Sequence, residues 1–291
     1  MSCYKISAME QCVIYTDSVV AQENIKEKNL GISIELGLDG YSFSIKDIDE
    51  NRYILYGSRE IKYESTYTRM LSSLIESIET RGDINRLTFK EANIIYSDAI
   101  YSVMPSALYD EGHRRDYLSF TVGRDLTQDK NIVSEVIEAH DAVCVFQVQD
   151  KITQYISSRA VDVKNHHSVV GLMKMIPSRV DEGHAVYVYM YNTHMCVAVV
   201  STRGLELINT YKVKDASAFA YYMLAVCNAM GVNERNVPIT LYGSPSRYAA
   251  YGDVIKRYFA ASRFARRNTV CVYSSALDMV AEYEAPNVFN F

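Results

Sequence analysis

The chain has 291 residues, is 48% hydrophobic and 22% charged, and carries a formal net charge of -5. That length is enough to bury real cores and suits two domains. A mildly acidic chain without a long basic run is poorly suited to general nucleic-acid binding. No apolar run reaches the roughly 18 residues of a membrane-crossing helix. Lys5, Glu10, Gln11 and Asp17 interrupt the first twenty residues, so neither a span nor a signal peptide is expected. The cysteines Cys3, Cys12, Cys144, Cys196, Cys227 and Cys271 lie far apart with no C-x-x-C pair. That usage suits a reducing cytoplasm rather than a disulfide scaffold.

Residues 1–28 mix apolar and charged positions without a clear period and read as an extension that adds at most one strand. Residues 30–48, LGISIELGLDGYSFSIKDI, are the first strong signal. Ile32, Ile34 and Leu36 alternate with Gly31, Ser33 and Glu35. After Asp39-Gly40, Tyr41, Phe43 and Ile45 alternate with Ser42, Ser44 and Lys46. Period-two alternation broken by Asp-Gly predicts a β-hairpin. Residues 52–61 predict a third strand. Residues 65–80 place Tyr67, Met70, Leu71, Leu74, Ile75 and Ile78 at helical spacing, with Ser65 or Thr66 as N-cap and Gly82 as C-cap. Strands are expected over 91–97 and 99–104, and a helical turn after Pro105. Another strand is expected over 117–122, and a hairpin over 131–148. A helix capped by Asp150 over 150–159, a short strand over 160–164 and a helix over 167–176 follow.

Pro177, Asp181 and Gly183 mark a domain boundary in residues 177–183. Beyond it the opening order returns. Residues 185–191 and 194–201 read as strands around Asn192-Thr193, and 205–211 as a third. Asp215 caps a helix over 216–230 that stops at Gly231. A strand over 237–242, the loop Gly243-Ser244-Pro245, a helix over 246–259 and a strand over 269–273 complete the chain. Each half therefore opens on three strands and a helix, a mixed-sheet plan whose repetition suggests duplicated domains facing one another across a cleft.

This α/β plan resembles the actin-like ATPase fold of actin, hexokinase, sugar kinases and heat-shock chaperones, whose halves are ribonuclease-H-like. More narrowly, residues 30–291 resemble an uncharacterised family of Bacteroidetes bacteria with that fold. The stretches that carry this are SIELGLDGYSFSI from Ser33, VMPSALYD from Val103, LELINTYKVKDASAFAYYMLAV from Leu205 and PITLYGS from Pro238. The resemblance implies an extension over 1–28, a first ribonuclease-H-like domain over 29–182 and a second over 183–291. It brings no activity with it.

In active proteins of that superfamily, the two opening hairpins cradle ATP phosphates with Asp-x-Gly-like turns, and a Gly-Gly loop receives the adenosine. Glycine lets backbone N–H groups approach a phosphate, and the acid holds Mg²⁺ or its waters. Here Glu35, Gly37, Asp39 and Gly40 stand at the first hairpin. Met190, Tyr191 and Asn192 stand at the second, so acid and glycine are both missing there, with Thr193 and His194 beside them. Gly243 and Ser244 stand at the third loop. ATP turnover needs Mg²⁺ and two phosphate grips. The candidate binding residues are accordingly Glu35, Gly37, Asp39, Gly40, Asn192, Thr193, Gly243 and Ser244, with no catalytic or metal residue assigned. ATP with Mg²⁺ is the cofactor the resemblance implies, but the incomplete motifs commit the chain to none.

Other chemistry finds less support. The chain has no G-x-S-x-G elbow and no Walker A loop. His166 and His167 are adjacent and point apart, which suits surface or capping roles. His184 and His194 flank paired strands and could approach one another, but without ligands at zinc spacing. Asp110, Glu111 and His113 read as a polar loop. Tyr187, Tyr189 and Tyr191 share a strand face, which suits packing. Arg263, Arg266 and Arg267 read as a charged strand edge. The leading expectation is a cytoplasmic, non-hydrolysing bacterial protein of actin-like fold that binds a partner protein. An active ATPase or kinase using Glu35 and Asp39 is the alternative, and a nucleic-acid module the third. A filled or narrow cleft beside Gly37 and Gly243 would weigh against the ATPase.

Overall fold

The computed structural model describes residues 12–61, 65–123 and 131–291. Residues 1–11 of the expected extension lie outside these. The alternating segments fold as expected into a hairpin of β2 (Leu30–Gly37) and β3 (Gly40–Asp47), with Ile32 opposite Ile45 and Leu36 opposite Tyr41. Strand β4 (Arg52–Glu60) continues the meander, and β1 (Val13–Thr16) adds to its outer edge. Helix α1 (Tyr67–Glu79) starts at Thr66, whose side chain accepts from the Arg69 N–H, as N-cap hydroxyls do. It lays Met70, Leu71, Leu74 and Ile78 on the core, each contributing roughly 2 kcal/mol by burial. Gly82 is not its C-cap. Thr80 takes that place, and Gly82 instead opens the short helix α2 (Gly82–Asn85).

Strand β5 (Phe89–Ser97) then runs parallel to β2. A small antiparallel sheet follows, with β6 (Tyr101–Pro105), β7 (Ile132–Ile137) and β8 (Ala142–Gln147) in the order β6-β8-β7. Residues expected as a strand over 117–122 form helix α3 (Arg114–Val122) instead, closed by Gly123 in the left-handed region. Six residues of alternating polarity fit either period, and here only Leu118 needs to be buried against the small sheet. Helix α4 (Asp150–Ser157) has Gln149, not Asp150, at its N-cap position. Strand β9 (Ala160–His167) runs parallel to β5, and α5 (Ser168–Met175) begins under a cap from His167.

The second half repeats the order. Strands β10 (His184–Met190), β11 (His194–Ser201) and β12 (Gly204–Lys212) form a meander, and α6 (Ala216–Ala229) follows under the expected Asp215 cap. Strand β13 (Ile239–Gly243) runs parallel to β10 and leads into α7 (Pro245–Tyr258). Strand β14 (Ser262–Phe264), given no range from the sequence although Arg263 read as a charged strand edge, closes the sheet beside β13. The two sheets have the same plan. The first contains β4-β3-β2-β5-β9, the second β12-β11-β10-β13-β14. In both, three antiparallel strands are extended by two parallel ones, which is duplication at the level of topology.

The chain then returns to the first half. Strand β15 (Val272–Tyr273) pairs in parallel with β4. Pro286, Asn287, Val288 and Phe289 are buried in a 3-10 turn against β2, β3 and α5. Ser33 and Ser44, on the polar face of the hairpin, bond to the main-chain oxygens of Phe291 and Val288. Strand β2 is therefore buried along its whole length, including the polar positions Ser33 and Glu35 that alternate with Ile32, Ile34 and Leu36. Helix α5 makes room through Gly171, where a Cβ would stand 2.1 Å from the Asn287 Oδ1. Between the halves, Tyr189, Cys196, Ala198 and Val200 of the second sheet join the same apolar core as β2 and α5. The opposite face of that sheet packs on α6 and α7. No helix among the described residues is long and apolar enough to cross a membrane.

Candidate functional site

The tips of β2–β3 and β10–β11 and the β13–α7 loop converge on one cavity of about 370 Å³ between the halves. Glu35, Gly37, Asp39, Gly40, Asn192, Gly243 and Ser244 all line it. Thr193 completes the predicted set through its bonds to Asp39. The cleft beside Gly37 and Gly243 is therefore neither filled nor closed. Its volume lies toward the low end for small-molecule sites.

Hydrogen bonds that cross between the halves define this region. Asp39 is 4% exposed. Its Oδ2 accepts from the Thr193 N–H at 2.6 Å and the Thr193 hydroxyl at 2.9 Å, and His194 Nδ1 lies 3.4 Å away. Burial alone would raise the Asp39 carboxyl. The facing His194 and the two Thr193 bonds outweigh burial and hold it below its ordinary value. Beside it, the Asn192 side-chain amide donates to the Ile61 carbonyl and accepts from Arg247 Nε at 2.9 Å.

Glu35 sits deeper. Its carboxylate accepts from the Tyr189 hydroxyl at 3.0 Å, the Tyr191 hydroxyl at 3.1 Å and the Asn287 amide at 2.8 Å. Burial pushes its carboxyl up to about 7, even though these three donors and the more distant His194 pull the other way. Tyr189 and Tyr191 stack on each other with ring centroids 4.5 Å apart, and Tyr191 stacks in turn on His194. Of the tyrosine series, Tyr189 and Tyr191 are thus a stacked pair whose hydroxyls end on one acid, while Tyr187 joins the apolar core.

At the third loop, Gly243 has φ +101°, and a Cβ there would stand 2.0 Å from the Met190 carbonyl oxygen. That close approach lets the Ser244 N–H donate to the same carbonyl at 2.8 Å. Pro245 opens α7, yet Ser244 makes no capping bond of its own. Its hydroxyl instead reaches Glu60 at 2.7 Å, and the Ser246 hydroxyl reaches the other oxygen of Glu60 at 2.9 Å. A carboxylate from the end of β4 therefore sits at the positive end of a 14-residue helix.

Glu60, Ser246, Asn287 and Glu284 were not legible as site residues. Only Ser246, the second residue of a helix that opens at Pro245 after Ser244, lay close to a recognisable signal. The remaining candidates separate. His166 and His167 do point apart, but neither is on the surface. His166 bonds to Glu135 and stacks on Phe291, while buried His167 caps α5 and lies 3.6 Å from Asp98. His184 and His194 stand at opposite ends of their hairpin, since His184 pairs with Ser201, so they do not approach one another. Asp110 accepts from the Gly112 N–H in an exposed turn. Arg263 lies on the edge strand β14, and Arg267 packs over Tyr273.

Residues 18–261 match the family described as Protein of unknown function (DUF3822). A solved protein of Bacteroides thetaiotaomicron VPI-5482, described as having an actin-like ATPase fold and unknown function, superposes with a TM-score of 0.69 at 16% identity. The match covers 84% of this chain and 93% of that one. A structure described as the PilM-PilN type IV pilus biogenesis complex matches with a TM-score of 0.52 at 9% identity, over 91% of this chain and 98% of that one. These likenesses show an actin-like ATPase fold of two ribonuclease-H-like halves. No curated protein sequence matches the chain.

Proposed function

We infer that this chain, which belongs to the DUF3822 family of proteins of unknown function, is a non-hydrolysing protein of actin-like ATPase fold that works by binding another protein. The observation that carries this reading is the self-occupation of two nucleotide positions, the turns of the opening hairpins where phosphates would be gripped and the third loop where the adenosine would be received. Asp39 holds the Thr193 N–H and hydroxyl, and Glu60 holds the Ser244 and Ser246 hydroxyls at the start of α7. Both acids come from the first half and both donor sets from the second. A triphosphate would have to displace two carboxylates and enter beside two more, Glu35 and Glu284. Like charges repel more strongly in a partly buried site than in open water.

The same bonds weigh against Mg²⁺. Two tyrosines and an asparagine occupy three of the roughly four acceptor sites of Glu35, and Thr193 occupies Oδ2 of Asp39 twice, so a metal would have to break bonds that join the halves. The pilus complex of the same fold, described as PilM with PilN, supports a role in protein assembly, and a cytoplasmic setting is part of the same proposal. Isothermal titration with Mg·ATP tests the reading. No heat of binding is expected up to millimolar nucleotide. Mg²⁺-dependent binding that disappears in Glu35→Ala would overturn it in favour of an ATP-dependent enzyme.

A further inference from the structure

The same cavity has a charge pattern that selects a ligand. Glu60 and Glu284 reach it from stretches 224 residues apart, joining β4 to the returning segment. Each is held by hydroxyl donors: Glu60 by Ser244 and Ser246, Glu284 by Tyr56 at 3.0 Å. Among the described residues no cation lies in ion-pair contact with either acid. Arg59 is the one lysine or arginine on the cavity wall among the described residues, and its guanidinium donates to Ser73 on α1. An ionised carboxylate offers about four acceptor sites, so both acids keep capacity beyond the hydroxyls that position them.

We propose that this cavity binds an organic cation, an alkylammonium or guanidinium head on an aliphatic stem, which Glu60 and Glu284 receive together. The proposal rests on the reading that the cleft serves no nucleotide, and it deepens that reading by giving the partner's contact a chemistry. A guanidinium presents planar donors that match carboxylates and an ammonium three donors on a flexible stem. The apolar stem would lie along Met190 and Pro245, which also line the cavity. In support, burial and, less strongly, the neighbouring Glu60 raise the Glu284 carboxyl above its ordinary value, and the Tyr56 bond and the charge of Arg267, which makes no ion pair with it, only partly offset them.

The test is a titration of the full chain at pH 7.5 with three small probes, followed by isothermal calorimetry. N-acetyl-arginine amide represents a basic side chain of a partner, and putrescine represents a free polyamine. N-acetyl-citrulline amide has the same shape as the first without its charge. One or both cations should bind, and whichever binds more tightly identifies the source. Citrulline should bind at least tenfold more weakly than arginine. Glu60→Gln and Glu284→Gln, each close to isosteric, should each weaken cation binding about fivefold or more. Equal binding of arginine and citrulline, binding unchanged in both variants, or no binding of either cation would overturn the proposal. The citrulline comparison uses only the natural chain, so it stands even if a variant folds poorly. These outcomes are independent of the Mg·ATP titration, so failure of the cation site and failure of the non-nucleotide reading are told apart.

Discussion

Two buried acids 4 residues apart in sequence have opposite electrostatic fates. The Glu35 carboxyl is raised by burial to about 7 from an ordinary 4.5. Below pH 4.5 it is protonated in folded and unfolded chains alike, so its contribution is fully present. As pH rises through 4.5 the unfolded chain ionises first, and stability is lost until the folded group titrates near 7. The total is on the order of 3 kcal/mol, since each tenfold change in proton affinity between the two states is worth about 1.4 kcal/mol. Glu35→Gln is expected to flatten the fall in melting temperature between pH 4.5 and 7.5, measured by thermal scans across that range. A wild-type profile that rises over the same interval would contradict this. The Asp39 carboxyl is held below its ordinary value, so its contribution is present above the unfolded carboxyl range and lost as pH falls through its folded value. Asp39→Asn removes a charge-assisted bond to Thr193 and should cost about 1.5–3 kcal/mol, seen as a lower urea midpoint at pH 7. None of these pairings was legible in sequence, because Asp39 and Thr193 are 154 residues apart and each alone is an ordinary turn residue.

At the scale of elements, turn chemistry and period told most of the story. Asp39-Gly40 and Asn192-Thr193 announced both hairpins, and Asp215 and Thr66 announced the starts of α6 and α1. Short segments were less legible. The six residues over 117–122 fit two periods, and β14 has three residues, too few for any pattern. The β13–α7 loop gives a sharp test. Gly243→Ala would set a methyl against the Met190 carbonyl at a φ that side chains rarely adopt. We expect a loss of about 2 kcal/mol or more, with faster amide exchange at Gly243 and Ser244, whose N–H groups bond to Tyr283 and Met190. Unchanged exchange there would mean the loop tolerates a side chain and that the glycine is not needed for the approach.

Across the whole molecule, the halves are joined by a shared core and by polar bridges at the cleft. The sequence carried the duplication, since both sheets follow one strand order. It did not carry the cover over the polar face of the first hairpin, because Ser44 and Val288 are 244 residues apart. Nothing local marks serines that bond to a distant backbone. Gly171→Ala tests that packing, since a methyl there would strike Asn287. Exchange protection should fall over residues 286–291 and at the Glu35 end of β2 while α6 and α7 keep theirs. Uniform loss across both halves would show that the segment is not a separable layer.

The pairing of β15 with β4 also sets an order of events during synthesis. The first sheet gains its last strand, and its hairpin its cover, from residues more than 200 positions downstream. Domains generally fold as units while the chain emerges from the ribosome, the N-terminal one first. Here the leading half is born with Tyr53, Tyr56 and Ile95, which end up packed with Val288 and Phe289, still facing water. It can finish folding only after the trailing half has been made. A nascent chain stalled near residue 182 should therefore be sensitive to protease and attractive to chaperones, whereas one stalled with residue 291 clear of the exit tunnel should not.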